Sequence, residues 1–170
     1  MEKDEASVRD RILAAAEAAF AAHGYGSVGV YAISSAAGVT TGALYHHFGG
    51  KLELYRAARE AYEGRLLAAM REATSDVAPG VRAVRVALLV AWDMASRDGM
   101  ARLFTEPGPG VGPDALGRFV HGLWPWGPGA VGHVLVFAWL GALEVSLRGS
   151  DSDARLVLDG ILRGIAGDLG

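Results

Sequence analysis

An all-α chain is predicted, on three observations. Segments rich in Ala, Leu, Arg and Glu, all good helix formers, fill most of the 170 residues. Short Gly/Pro clusters at 77–80, 106–113 and 122–129 punctuate them at spacings that leave helix-length pieces. No stretch alternates apolar and polar residues over a useful strand length. With 51% hydrophobic and 21% charged residues, the chain can bury a real core and is not a disordered tail.

The elements follow in order. A capping-box-like pair, Ser7 and Asp10, marks the start of the first helix, because the carboxylate can reach back to a free amide. Ile12, Ala16, Ala19 and Phe20 recur at helical spacing as its apolar stripe, and Gly24 stops it. Short helices are expected at 30–37 and 41–47, joined through Gly38, Val39 and Thr40, with Thr40 as N-cap of the second. Gly49 and Gly50 break the chain before a long helix at 51–74. Further helices are expected at 79–97, 98–105, 113–121, 128–148 and 152–168. No Asp, Glu, Lys or Arg occurs over 119–143, but Pro125 and Pro128 interrupt that run and Glu144 closes it. A buried helix is expected there rather than a membrane span.

Composition removes several function classes. The chain has no Cys, hence no disulfide, thiolate metal site or thiol nucleophile. Its 16 Lys+Arg against 19 Asp+Glu, net −3, do not announce nucleic-acid binding in bulk. The acidic N-terminus lacks the apolar run of a signal peptide, so a cytoplasmic location is expected. Residues 24–29 spell G-x-G-x-x-G, but a helix precedes them where the dinucleotide fingerprint needs a strand. Gly50-Lys51 lacks the other Walker residues, and no Ser-His-acid set can be assembled. Neither His46 nor His47 pairs with a Cys or carboxylate at metal-ligand spacing. A non-catalytic chain with neither cofactor nor metal is expected.

Residues 30–47 have the pattern of a helix-turn-helix, two helices too short to stand alone around a Gly-containing turn. Ile33, Ala37, Val39 and Leu44 are expected to face inward. Thr41, Ala43, Tyr45 and His46 are then presented outward, as compact hydrogen-bonding or methyl groups suited to a groove floor and its phosphate walls. His47 is expected to pack or cap rather than to read bases. Lys51 stands at a helix N-terminus, where a cation opposes the macrodipole, a placement that makes sense if an anion docks there.

Taken together, Ile12, Ala15-Ala16, Phe20, Gly24-Tyr25, Ile33, the run 37–48, Lys51 and Leu54 resemble the N-terminal signature of the TetR family of transcriptional regulators. The resemblance covers roughly residues 8–55. It implies a DNA-binding domain over 1–50 and a ligand-binding and dimerisation domain over 51–170. It also implies a homodimer on near-palindromic, double-stranded operator DNA, most simply a repressor released by a small hydrophobic effector. By the same resemblance Tyr31, Thr41, Ala43, Tyr45, His46 and Lys51 fall at DNA-facing positions, with Thr40 beside them. Tyr45 and Lys51 would hold phosphates, and Thr41 and Ala43 would lie nearest base edges. The chain departs from the family at 28–29, where Val28-Gly29 replace the usual Thr or Ser cap, and at Ser34, which replaces a customary Ala. Over residues 1–55 four cations face six carboxylates, so weak non-specific binding and a shallow salt slope are expected.

For the remaining two thirds, an apolar effector cavity lined by Met70, Trp92, Phe119, Trp124 and Phe137 is expected on the family pattern. His121, His133 and Glu144 are polar candidates beside it, while Asp93 is expected to pair with Arg97 one turn on. Stripes of small residues, Val134, Ala138, Gly141 and Val145 in one helix and Val157, Gly160, Ile161 and Gly164 in the next, are expected to form a four-helix dimer seam. The alternative is a small-molecule carrier or sensor with weak or lost DNA binding, which the acidic N-terminal module motivates.

Overall fold

The computed structural model describes residues 2–106 and 114–168. Among them are nine helices and no strand: α1 (Glu2–Ser27), α2 (Val30–Ala36), α3 (Thr41–Phe48), α4 (Lys51–Thr74), α5 (Val81–Arg97), α6 (Ala101–Thr105), α7 (Asp114–Gly122), α8 (Val131–Leu147) and α9 (Asp151–Asp168). The all-α expectation holds. α1 begins at Glu2 rather than at Ser7, whose side chain lies outside the described residues. Gly24 does interrupt α1, at φ 74° and ψ 163°, and one further turn follows to Ser27. Most of the expected loop at 106–113 also lies outside the described residues.

The chain forms two compact units. The N-terminal unit takes the residues up to Tyr62 and the stretch beginning at Arg102, so it extends beyond residue 50 and includes the first part of α4. Ile12, Ala16 and Phe20 of α1, Ile33 of α2, Leu44 of α3 and Leu54, Tyr55 and Ala58 of α4 make its buried core. Each large apolar side chain buried there contributes about 1.5–3 kcal/mol. Val39, expected inside, is half-buried. α6 is too short to be stable alone and is held from outside. Tyr55 Oη and Arg59 Nη1 both donate to the Leu103 carbonyl, at 2.9 and 3.1 Å, and Arg102 Nη1 donates to the Ala22 carbonyl at 2.6 Å. Leu103 lies in the last turn of α6, where carbonyls lack helical partners.

The C-terminal unit takes α4 from Glu63 onward, α5, α7, α8 and α9. Leu66, Met70, Leu88, Trp92, Val120, Trp139, Leu143, Leu158 and Leu162 are buried in it. α7 and α8 approach closely because neither has a Cβ at the crossing: Gly132 abuts the Gly117 carbonyl and the His121 backbone, and the His133 ring lies against Gly117. Charged pairs fasten α9 to α5. Arg85 Nε meets Asp159 Oδ1 at 2.6 Å, and Arg155 grips both oxygens of Asp93 at 2.6 and 3.0 Å. Asp93 therefore takes a partner 62 positions away, while Arg97 meets Asp98 at 3.0 Å; a bidentate guanidinium fork is the stronger partner for a carboxylate.

Among the described residues, no helix is long and apolar enough to cross a membrane. The uncharged stretch 119–143 is not one buried helix but the end of α7, a turn and most of α8. α8 buries Gly132, Leu135, Val136, Trp139 and Leu143 and leaves its other side open.

Candidate nucleic-acid interface

α2 starts from Gly29, which offers no side-chain cap. Ile33 and Ser34 face inward, and the Ser34 hydroxyl donates to the Val30 carbonyl at 2.9 Å. That bond satisfies the hydroxyl at a buried position where the family's customary Ala has nothing to satisfy. Gly38 turns the chain at φ 66°, and the Val39 amide donates to the Ser34 carbonyl at 3.0 Å.

α3 then opens on Thr40, whose Oγ1 accepts from the Ala43 amide at 3.1 Å, as expected for its N-cap. Leu44 and Phe48 pack into the core and fix the helix's rotation. With those two inside, Tyr45 is 52% exposed, Tyr31 of α2 is 78% exposed, and His46 is also exposed. Thr41 and Ala43 are half-buried at the near edge, and His47 is half-buried. Tyr31, Ser34, Ser35, Val39, Thr40 and Thr41 line a shallow cleft of about 350 Å³ between α2 and α3. Ser35 is an exposed hydroxyl on this face that the sequence pattern did not single out. α3 closes at Gly49, φ 78°, whose amide donates to the Tyr45 carbonyl at 2.8 Å.

Lys51 begins α4 one residue beyond Gly50 and is half-buried. Its Nζ lies 4.5 Å from the centroid of the Tyr25 ring. Arg9 lies over the Phe48 ring at 5.0 Å, and Arg11 is exposed on α1. The module thus exposes hydroxyls, two phenols and an imidazole, backed by an apolar core.

A family model described as "Bacterial regulatory proteins, tetR family" matches residues 12–58, the segment that carries this face. Residues 12–58 therefore carry the N-terminal domain of the TetR family. The HTH-type transcriptional activator FasR of Mycolicibacterium smegmatis is 32% identical over 90 residues, covering 53% of this chain and 41% of that protein. The match therefore spans less than half the length of that curated relative. A TetR-family regulator from Pectobacterium atrosepticum has a similar structure, with a TM-score of 0.67 at 20% identity over 99% of this chain and 95% of that one. So has the TetR-family regulator PfmR from Thermus thermophilus, with a TM-score of 0.65 at 24% identity over 91% of this chain and 95% of that one. These structural likenesses establish the fold.

In the C-terminal unit, the five candidate lining residues differ in burial. Met70, Trp92 and Trp124 are buried, and Phe119 is half-buried beneath the Arg71 guanidinium at 5.3 Å. Phe137 is 61% exposed, so it lines no enclosed cavity within the chain. Helical period accounts for this, since Phe137 shares a face with Val134 and Gly141, opposite Leu135, Val136 and Trp139. His121 Nδ1 is buried with no hydrogen-bond partner among the described residues, His133 is exposed, and Glu144 pairs with Arg148 at 2.6 Å.

The two expected seam stripes lie on the surface of one unit. Val134, Val145, Val157 and Ile161 are exposed, as are Gly141, Gly160 and Gly164, with Ala138 half-buried. Ala138, Gly141, Val145, Val157 and Ile161 share an apolar groove of about 300 Å³ between α8 and α9. Leu156 and Phe137 are further exposed apolar side chains of these two helices.

Proposed function

We propose that this chain is a homodimeric TetR-family transcriptional regulator that inserts α3 into the major groove of near-palindromic operator DNA. The observation that carries this reading is the rotation of α3. Leu44 and Phe48 face the core while Tyr45, His46 and, from α2, Tyr31 face outward. Burying those two anchors leaves the outward set as the face a groove would receive. Tyr45 and Lys51 hold phosphates, Thr41 and Ala43 approach base edges, and Thr40 fixes the start of the helix.

Dimerisation uses the α8 and α9 stripes. Val134, Phe137, Val157 and Ile161 are apolar side chains left in water by the monomer, and covering them gains about 25 cal/mol per Å². The effector is a small hydrophobic molecule bound among Met70, Trp92, Phe119 and Trp124. Since effector and DNA act on one equilibrium, each weakens the other by the same factor. The reading is of a repressor. The name of the mycobacterial relative, an activator, makes the sign of regulation a separate arm of the test.

One observation favours a second reading, a carrier or sensor with weak DNA binding: the N-terminal 55 residues hold only four cations against six carboxylates. A gel shift on the DNA upstream of the chain's own coding sequence separates the two. The regulator forms a salt-sensitive complex that Lys51→Ala and Tyr45→Ala each weaken, whereas the carrier forms none. A reporter driven by that DNA rises on deletion of a repressor and falls on deletion of an activator.

A further inference from the structure

We infer that Tyr25 is a positioning residue for Lys51, holding its ammonium group where a DNA phosphate meets it; the inference rests on the DNA-binding reading above. A lysine side chain is long, and an unbraced ammonium must lose much freedom when it grips an anion. Here Nζ sits 4.5 Å from the centroid of the Tyr25 ring, inside the range in which the ring's negative face attracts a cation. The π face covers one side of the ammonium and leaves its remaining N–H groups free to donate to a phosphate oxygen. The same contact offsets the repulsion between Lys51 and the positive end of α4.

The ring itself is braced. Tyr25 meets the edge of Tyr55 at 5.1 Å and lies 6.1 Å from Phe20, and Phe20 and Tyr55 contact each other at 5.2 Å. Phe20 and Tyr55 are fully buried. Gly24 makes the arrangement possible. Its φ of 74° is a conformation that side chains with a Cβ rarely adopt, and a Cβ there would strike the Glu106 carboxylate. The kink turns Tyr25 out of the α1 stripe and back toward the start of α4.

A double-mutant cycle tests this. Phosphate contacts are independent of sequence, so the probe is a random-sequence duplex at low salt, with binding read by fluorescence anisotropy. Tyr25→Leu is expected to weaken binding about three- to fivefold, in line with an exposed cation–π contact, and Tyr25→Phe to leave it within about twofold of wild type. In a Lys51→Ala background, Tyr25→Leu is expected to cost nothing further. Because Leu also disturbs the aromatic cluster, a second series places Phe, difluoro-Phe and pentafluoro-Phe at position 25. Ring volume barely changes while the π face loses its negative charge, and affinity is expected to fall stepwise. Equal loss from Tyr25→Leu in both backgrounds, or a flat fluorination series, overturns the inference while leaving DNA binding intact. A wild-type chain that binds no duplex instead overturns the DNA-binding reading, and the inference with it.

Discussion

Arg59 donates from Nη1 to the Leu103 carbonyl at 3.1 Å, across 44 residues of sequence, and its guanidinium lies 4.8 Å from the Phe104 ring centroid. Tyr55, one turn earlier on α4, donates to the same oxygen at 2.9 Å. Two donors therefore converge on one carbonyl at the C-terminal end of a five-residue helix, where a cation is also favoured by the macrodipole. This clamp builds α6 into the N-terminal unit.

The two donors are expected to be unequal. Arg59→Ala removes a charged hydrogen bond, a cation–π contact and buried volume, and should lower stability by about 2–4 kcal/mol. Tyr55→Phe leaves Arg59 on the carbonyl and should cost only about 0.5–1.5 kcal/mol. Urea titrations followed by circular dichroism measure both. Equal losses would mean that the clamp is not shared as described.

The Asp159–Arg85 pair sets an acid limb. The hydrogen bond from Arg85, assisted by Arg163, holds the Asp159 carboxyl below its ordinary range. A carboxylate depressed in the folded state contributes stability that is fully present above its unfolded value of about 3.9 and fades as pH falls through the lower folded value. Asp159→Asn should therefore lower stability at neutral pH and flatten the loss below about pH 4. Thermal melts across pH 2–7 check this; an unchanged acid limb would contradict it.

Thr40→Ala removes the oxygen that accepts from the Ala43 amide. The expected cost is about 1 kcal/mol, recovered by Thr40→Ser. Gly29 lacks a cap and has open space at the Cβ position, so Gly29→Ser should stabilise by a few tenths of a kcal/mol. Melting temperatures of the three variants give the comparison.

Val157→Glu with Ile161→Glu places charge on the apolar α8–α9 face without touching the core, since both native side chains are exposed. Sedimentation is expected to find a dimer for the wild type and a folded monomer for the variant. A variant that stays dimeric would move the seam elsewhere.

Much of the helix map was legible because Gly and Pro punctuate it. α4 falls at its expected limits and α3 runs one residue longer. α6 begins three residues later than expected because Asp98 and Gly99, at φ 68°, close α5 instead. The exposure of Tyr45 and His46 on α3 was legible because Leu44 and Phe48 leave one way to rotate the helix, which also leaves Thr41 and Ala43 half-buried. The face of Phe137 was not, since α8 is apolar all round and periodicity alone offers two sides to bury. Tyr25 beneath Lys51, and Arg102 on the Ala22 carbonyl, join positions 26 and 80 residues apart; no local pattern encodes such pairs.

In the proposed complex the outer side of α3 touches duplex DNA. A photo-crosslinking amino acid placed at position 45 or 46, and at 157 as the control, tests it directly with a labelled duplex of the upstream DNA. Protein–DNA adducts that fade as salt rises are expected from 45 and 46, and none from 157. DNA binding without adducts at 45 and 46, or with adducts at 157, would contradict it.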